Sequence, residues 1–372
     1  MTQPFDICIR GNGIVGHTLA LLLARERLRV GLVSPSPLAT SSGSGDVRAY
    51  ALNARSRALL ESVRCWPDVL HATEVLAMQV NGDDGGAVNF SATELGVPGL
   101  TWIVDVPALE IRLAEAVRFQ PHIELLDSPQ PAALSVICEG KTSSTRAEFG
   151  VDFEVTRYPQ KAIAARLRCE VPHAQIAYQW FSPGEILAFL PLDGPQGNAV
   201  AIVWSVREDR AQALLEESPA AFCQQLQAAS HGRLGQLSLI SERGAWPLQM
   251  ARADRWTGVH AGASWALAGD AAHNVHPLAG QGLNLGLSDV AALTTTLRER
   301  EYWRQVGDEK LLRRYERSRK AEVLAMGTAM DGLQQLFSRS GAPWQTARNW
   351  GMNGFERSGP VKRWVARQAM GC

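Results

Sequence analysis

The chain has 372 residues, 46% of them hydrophobic, and its 37 Lys and Arg balance 37 Asp and Glu. That length supports a large core and two intertwined domains rather than one. A formal charge of zero gives no global basic field, which argues against nucleic acid as a partner.

The first element in chain order is a short apolar strand over 5–10. Gly11, Gly13 and Gly16 follow in GxGxxG spacing, then a helix to about Arg27 with Leu19, Leu22 and Leu23 on one side, then a strand over 30–33. That strand-turn-helix-strand context raises the glycine pattern above chance and reads as an FAD-binding site. The first glycine permits the tight turn, the second lets backbone approach a pyrophosphate, and the third allows close helix-strand packing. Ile14 and Val15 open the helix, whose free N–H groups and partial positive charge suit phosphates. Ser34 closes the second strand where such sites usually carry an acid for the ribose hydroxyls. Its hydroxyl bonds neutrally, and a charge-assisted bond is roughly twice as strong.

Further along, 176–181, 186–192 and 199–204 read as strands of one antiparallel sheet. Leu187, Phe189 and Trp204 fit either a flavin-facing wall or the core of that sheet. A second dense motif occupies 269–289: Gly269, Asp270, His273, Pro277, Gly280, Gln281, Gly282, Asn284, Gly286 and Asp289. From Gly282 onward, Leu283, Leu287, Val290, Ala291 and Thr294 have helical spacing. The helix N-terminus would stabilise negative charge on a reduced flavin. Gly280, Gly282 and Gly286 would let a flat ring approach backbone. His273 fits a cap on the turn after Asp270, and His173 fits packing at a strand end.

Residues 336–372 carry six basic residues against Glu356, leaving +5, with Phe337, Trp344, Trp350, Phe355 and Trp364 interleaved. Such a segment suits an anionic membrane surface, a packed helical pair or an oligomer contact. The six cysteines form no CxxC pair, so no metal site is expected and a reducing compartment is implied. No basic leader opens the chain, and no apolar run reaches the roughly 18 residues of a membrane span. The location expected is cytoplasmic, with peripheral contact at an inner membrane allowed by the tail.

Nearly end to end, the chain resembles the ubiquinone-biosynthesis hydroxylases, the UbiH/UbiI/Coq6-like branch of the class A FAD-dependent aromatic monooxygenases. The likeness rests on the 269–289 motif and on four further segments. These are Asp46 to Asn53 with Ser56 and Trp66; Glu139 and Gly140 with Ser143 and Arg146; Tyr158, Gln160, Ala162, His173 and 181–192; and Tyr315, Glu316, Arg317 and Arg319. The fold it implies is α/β, or α+β overall: a Rossmann-like FAD-binding domain, an inserted antiparallel-sheet substrate domain and C-terminal helices, as in p-hydroxybenzoate hydroxylase. The FAD domain would be discontinuous over 1–72, 101–157 and 247–330, with the substrate domain in 73–100 and 158–246 and the helical segment in 331–372.

The resemblance also implies roles. Arg48 would lie along the ribityl-pyrophosphate region, and Asp270 would hold a ribityl or phosphate-proximal hydroxyl. Pro277 and the run Gly280, Gln281, Gly282, Leu283 and Asn284 would line the isoalloxazine. Glu139 and Gly140 would join in FAD and NAD(P)H handling. His276 is the best-placed candidate for a base, although packing beside the loop explains it more readily. Ser34, Glu139 in place of Asp, the short stretch 119–138, and Pro107 and Ala108 where a basic residue is common all depart from the family pattern.

The activity implied is hydroxylation of a phenolic ring, that of a polyprenylated ubiquinone precursor, through a flavin C4a-hydroperoxide formed with NAD(P)H and O2. The alternatives are a non-catalytic scaffold in a quinone-biosynthesis assembly and a hydroxylase of a soluble aromatic metabolite. A homo-oligomer or a biosynthetic complex is compatible with either.

Overall fold

In a computed structural model, residues 5–34, 46–82, 85–274, 282–338, 351–352 and 354–370 are described. Three sheets organise the chain. The first has six strands in the order Thr257–His260, Ala263–Leu267, Ala132–Ile137, Phe5–Arg10, Val30–Val33 and Ile123–Leu126. All its pairings are parallel except the edge hairpin of Thr257–His260 with Ala263–Leu267. Ile7, Ile9, Val30, Leu32, Leu134 and Val136 are fully buried, as expected of a parallel sheet covered on both faces. The helices Ile14–Arg25, Val106–Arg118 and Gly282–Arg298 pack together over this sheet. Asp105 caps the second of them by accepting from Ala108 N at 3.0 Å, with Pro107 in the first turn.

The short stretch 119–138 has a clear structural form. The chain leaves the edge strand Ile123–Leu126 and re-enters at Ala132–Ile137, beyond Val30–Val33 and Phe5–Arg10. Because these strands run parallel, the link must cross three strand spacings of about 4.8 Å and also return from the level of Arg10 to that of Phe5, about 22 Å in all. Residues 127–131 just bridge that when fully extended. The link is nearly taut and has no length for additional strands.

The largest sheet has nine strands built around Phe153–Cys169, which pairs antiparallel with Ala199–Arg207 on one side and Gly244–Ala253 on the other. The register shifts between Arg157 and Lys161, a bulge that accommodates Pro159. Glu185–Pro191 and Ile176–Ser182 continue the sheet antiparallel, but Ala77–Asn81 then joins Ile176–Ser182 in parallel. Leu187, Phe189 and Trp204 are buried in the core between this sheet and the helices Glu208–Glu216 and Pro219–Ala229. The alternation of strand residues therefore commits them to the face away from the cleft described below.

The third sheet joins Ala49–Leu52, Thr101–Asp105 and Ala72–Val75. Three strands straddle the boundaries expected at 72/73, 157/158 and 246/247: Ala72–Val75, Phe153–Cys169 and Gly244–Ala253. The C-terminal helix Pro360–Met370 buries Ala366 and Met370 against Ala92, Leu95 and Leu100. Cys8, Cys65, Cys138, Cys169 and Cys223 are all buried thiols.

Candidate functional site

The N-terminal glycines have three different jobs. Gly11 sits at φ +116°, and a Cβ there would fall 2.4 Å from the Cys138 carbonyl. A Cβ on Gly16 would fall 1.9 Å from the Gly11 carbonyl, so the turn itself excludes a side chain. At Gly13 a Cβ would meet nothing within 4 Å. Gly13 is the N-cap of the helix Ile14–Arg25, and no side chain caps that end. Its leading N–H groups therefore face open space, as an anion site requires.

That space is a cleft of about 480 Å3. Gly13, Ile14 and Val15 line it from the first motif, and Gly269, Asp270, Gly282 and Leu283 line it from the second. The two motifs touch directly. Built on Gly269 or Gly286, a Cβ would come 3.2 or 3.0 Å from Val15 Cγ2. Gly286 lines the cleft as well, and Val15 wedges against it, so a side chain there is excluded on that side too. Gly282 opens onto the cleft, with nothing within 4 Å of its Cβ position. The helix Gly282–Arg298 begins there.

Arg48 and Gly140 line the same cleft. Arg48 donates from Nε to Asp46 Oδ1 at 2.9 Å and lies 3.7 Å from Glu110 Oε1. The hydrogen bonds it donates to Asp46 raise its already high pKa, so it is cationic throughout. Its segment is pinned from the large sheet. Arg166 donates to the carbonyls of Asp46 at 3.2 Å and Arg48 at 3.3 Å, and pairs with Asp105 at 2.5 Å. Burial pushes the Glu110 carboxyl up against the pull of Arg48.

Glu139 does not reach the cleft. Its carboxylate accepts from Ser143 Oγ and Thr145 Oγ1, each at 2.6 Å, and so shapes the turn that presents Gly140 and Lys141. Buried Arg146 ties this turn to the second motif. It donates to the carbonyls of Gly140 at 3.1 Å, Lys141 at 2.5 Å and Ala271 at 3.1 Å. Burial pushes the Asp270 carboxyl up, opposed by Lys141.

Asn284 also turns inward. Its Nδ2 donates to the Ala51 carbonyl at 2.8 Å, while Oδ1 accepts from Asn53 N at 3.0 Å and Ser56 Oγ at 2.7 Å. It therefore joins the helix start to 51–56 instead of lining a ring. Ser34 receives a bond from Asn12 Nδ2 at 2.8 Å at the exposed end of its strand. His273 is buried, stacked on Trp256 at 4.9 Å and 2.7 Å from Asp289, so it does not cap the Asp270 turn. His173 Nδ1 accepts from Gln175 N at 3.0 Å, which leaves Nε2 to donate to the Leu192 carbonyl at 2.7 Å. His276, Pro277, Gly280 and Gln281 lie outside the described residues.

The opposite wall of the cleft belongs to the large sheet: Ala162, Ala164, Val203, Trp246, Pro247 and Leu248. Sequence reasoning missed most of these, together with Tyr50, Glu110, Lys141, Gln249 and Asn274. Lys141 directly follows the Glu139–Gly140 pair, and Glu110 sits one turn after the Asp105–Pro107 helix start; those two signals were legible. The cleft thus has a polar, helix-capped side suited to a dinucleotide and an apolar side suited to a hydrophobic ring. The residues present fit FAD: an uncapped helix end at Gly13 and an unobstructed Gly282 open onto one cleft.

Comparison with known proteins agrees with this geometry. A family model described as an FAD binding domain matches residues 131–328. The 3-demethoxyubiquinol 3-hydroxylase of Escherichia coli (strain K12) is 32% identical, covering 99% of each chain. Ubiquinone hydroxylase UbiL of Rhodospirillum rubrum is 30% identical over 98% of this chain and 89% of its own length. Among solved structures, PqsL, a probable FAD-dependent monooxygenase from Pseudomonas aeruginosa, superimposes with a TM-score of 0.75 at 20% identity. That match covers 94% of this chain and 100% of PqsL, and it shows the fold.

Proposed function

We propose that this chain, which belongs to the ubiquinone-biosynthesis hydroxylase family of FAD-dependent monooxygenases, hydroxylates the phenolic ring of a polyprenylated ubiquinone precursor. The observation that carries the reading is the single cleft between the two glycine motifs and an apolar wall. Bound there, FAD supplies reduction by NAD(P)H and activation of O2.

The protein supplies placement. The N–H groups after Gly13 would hold the pyrophosphate, and Arg48 and Lys141, which line the same cleft, would supply cations to it. Asp270 would accept from a hydroxyl of the bound cofactor, and the N-terminus of Gly282–Arg298 would stabilise negative charge on a reduced flavin. Ala162, Ala164, Val203 and Leu248 orient the phenol and keep water out. No histidine lines the cleft among the described residues, and the protein's part in this reading is orientation and water exclusion. The 1–72, 101–157 and 247–330 segments act together as the FAD-binding unit, against a substrate unit of 73–100 and 158–246.

The reading extends to a membrane surface. No helix among the described residues is long and apolar enough to cross a bilayer. The helix Pro360–Met370 leaves Val361 and Trp364 exposed at 55% and 64%, beside exposed Arg363 and Arg367. An exposed apolar and basic face supports peripheral contact with anionic lipid. A Trp364→Ser, Arg363→Ser double variant should lose binding to anionic vesicles.

The test of the reaction is direct. The protein purified without added flavin should show absorption bands near about 375 and 450 nm, or acquire them on FAD titration. It should then consume NAD(P)H and release a hydroxylated product with a prenylated phenol. Failure to bind FAD even at high concentration would overturn the proposal.

A further inference from the structure

A second cavity, of about 560 Å3, adjoins the cleft, and both are lined by Asn274. They also share a strand. In Gly244–Ala253, residues 246–249 line the cleft, and 250–253 line the second cavity. The outer wall is the helix Glu309–Ser338, through Lys320, Val323, Leu324 and Gly327.

The chemistry of the lining selects the ligand. Its apolar members are Met250, Ala251, Ala253, Trp256, Val323 and Leu324. Both of its cations are already paired. Arg252 pairs with Glu154 at 2.7 Å, and Lys320 bonds Glu316 and the Asp254 carbonyl, each at 2.6 Å. Asp254 Oδ1 accepts from Asp152 N at 3.0 Å. Neither cation on the rim is left to hold an anion. The buried Trp256 contributes an indole N–H with no acceptor among the described residues. A lone donor on an apolar floor suits a π-rich, uncharged chain and repels a cation.

We propose that this cavity holds the isoprenoid tail of the substrate whose ring occupies the cleft, with the chain passing at Asn274. The inference rests on the reading above that the substrate is a prenylated phenol. Asn274 is held at the junction by the pairing of His273–Asn274 with residues 251–252, and its Nδ2 donates to Asp270 at 3.4 Å. Ring position and tail position are thereby set by one short strand.

Gly327 offers a clean test, because a Cβ there meets nothing within 4 Å. Gly327→Trp projects a bulky side chain from a cavity-lining position whose Cβ is unobstructed, and Leu324→Asp places a charge on the wall at a residue 60% exposed. With FAD-loaded enzyme, each variant should raise KM for a prenylated phenol by at least about tenfold, since burial of each isoprene unit is lost. KM for the same phenol without its chain should move by less than about twofold. Equal changes for both phenols, or no change for either, would overturn the tail site. If the unaltered enzyme hydroxylates neither phenol, the reaction proposal fails and the cavity is judged separately by calorimetry with farnesol, an isoprenoid alcohol without a ring. Farnesol binding that Gly327→Trp abolishes upholds the cavity's assignment; no farnesol binding by the unaltered protein removes it.

Discussion

His273 Nε2 lies 2.7 Å from Asp289 Oδ2, and both side chains are almost wholly buried. The same carboxylate accepts from Gly269 N at 2.8 Å and from Arg319 Nε at 2.8 Å. One aspartate therefore fixes the start of the second motif, the strand that follows it and the long helix Glu309–Ser338. Burial alone would raise its pKa, yet His273 and Arg319 hold it below the ordinary carboxylate range.

Asp289→Ala should be among the most damaging single changes in the chain. It breaks a fully buried ion pair and leaves Arg319 with the exposed Glu322 as its remaining carboxylate, and loss of one partner from such a pair costs roughly 3–5 kcal/mol. Urea unfolding should register that loss. The sign with pH follows from the depressed pKa: the contribution is present above the unfolded value and is lost as acid protonates the folded carboxylate. The variant should therefore lose part of the steep acid limb seen in the parent. A parent and a variant with superimposable acid transitions would contradict this.

Gly13 and Gly16 should separate binding from folding. Gly13→Val places its side chain in open space in the protein but where the pyrophosphate must lie. We expect a melting temperature of the FAD-free protein within about 2 °C of the parent and no bound flavin. Gly16→Val collides with the Gly11 carbonyl and should yield little folded protein. Stoichiometric FAD in purified Gly13→Val would show that the N-terminal helix does not hold the cofactor.

His17 gives a second pH dependence. It is buried in the first turn of its helix, with Nδ1 lacking a partner among the described residues, and burial lowers its pKa from 6.5 to about 4. Below 6.5 the unfolded chain binds a proton that the folded chain refuses. Stability should thus be complete above that value and decline towards pH 4 by about 1.4 kcal/mol per unit. His17→Gln, neutral throughout, should flatten the decline in urea midpoints measured between those limits.

Arg146 should prove to be a positioning residue. Arg146→Met removes donors shared among Gly140, Lys141 and Ala271 and leaves the buried Ala271 carbonyl unpaired, at about 1–3 kcal/mol. Because both loops face the cleft, FAD affinity should fall by at least about tenfold. Arg146→Lys should restore part of it. A variant with lowered stability but unchanged FAD affinity would reduce Arg146 to a structural tie.

The sequence by itself determined the parts that depend on local chemistry. GxGxxG between a strand and a helix can hardly be read otherwise, because the positive φ of Gly11 and the close approach of Gly16 to the Gly11 carbonyl belong to a backbone turn a few residues long. The helix after Gly282 was equally legible from its period, and the family from the density of the second motif. Only the tertiary structure decided which side of a residue is used. Val203 faces the cleft while Trp204 faces the core, because register in a sheet is set by distant partners. Gly286 packs against Val15, Asn284 serves 51–56, and Glu139 is consumed by Ser143 and Thr145. For Gly286 and Asn284 the deciding partner lies in a distant segment of the chain. A side chain has only a few hydrogen bonds and one packing direction to give, and folding decides what receives them.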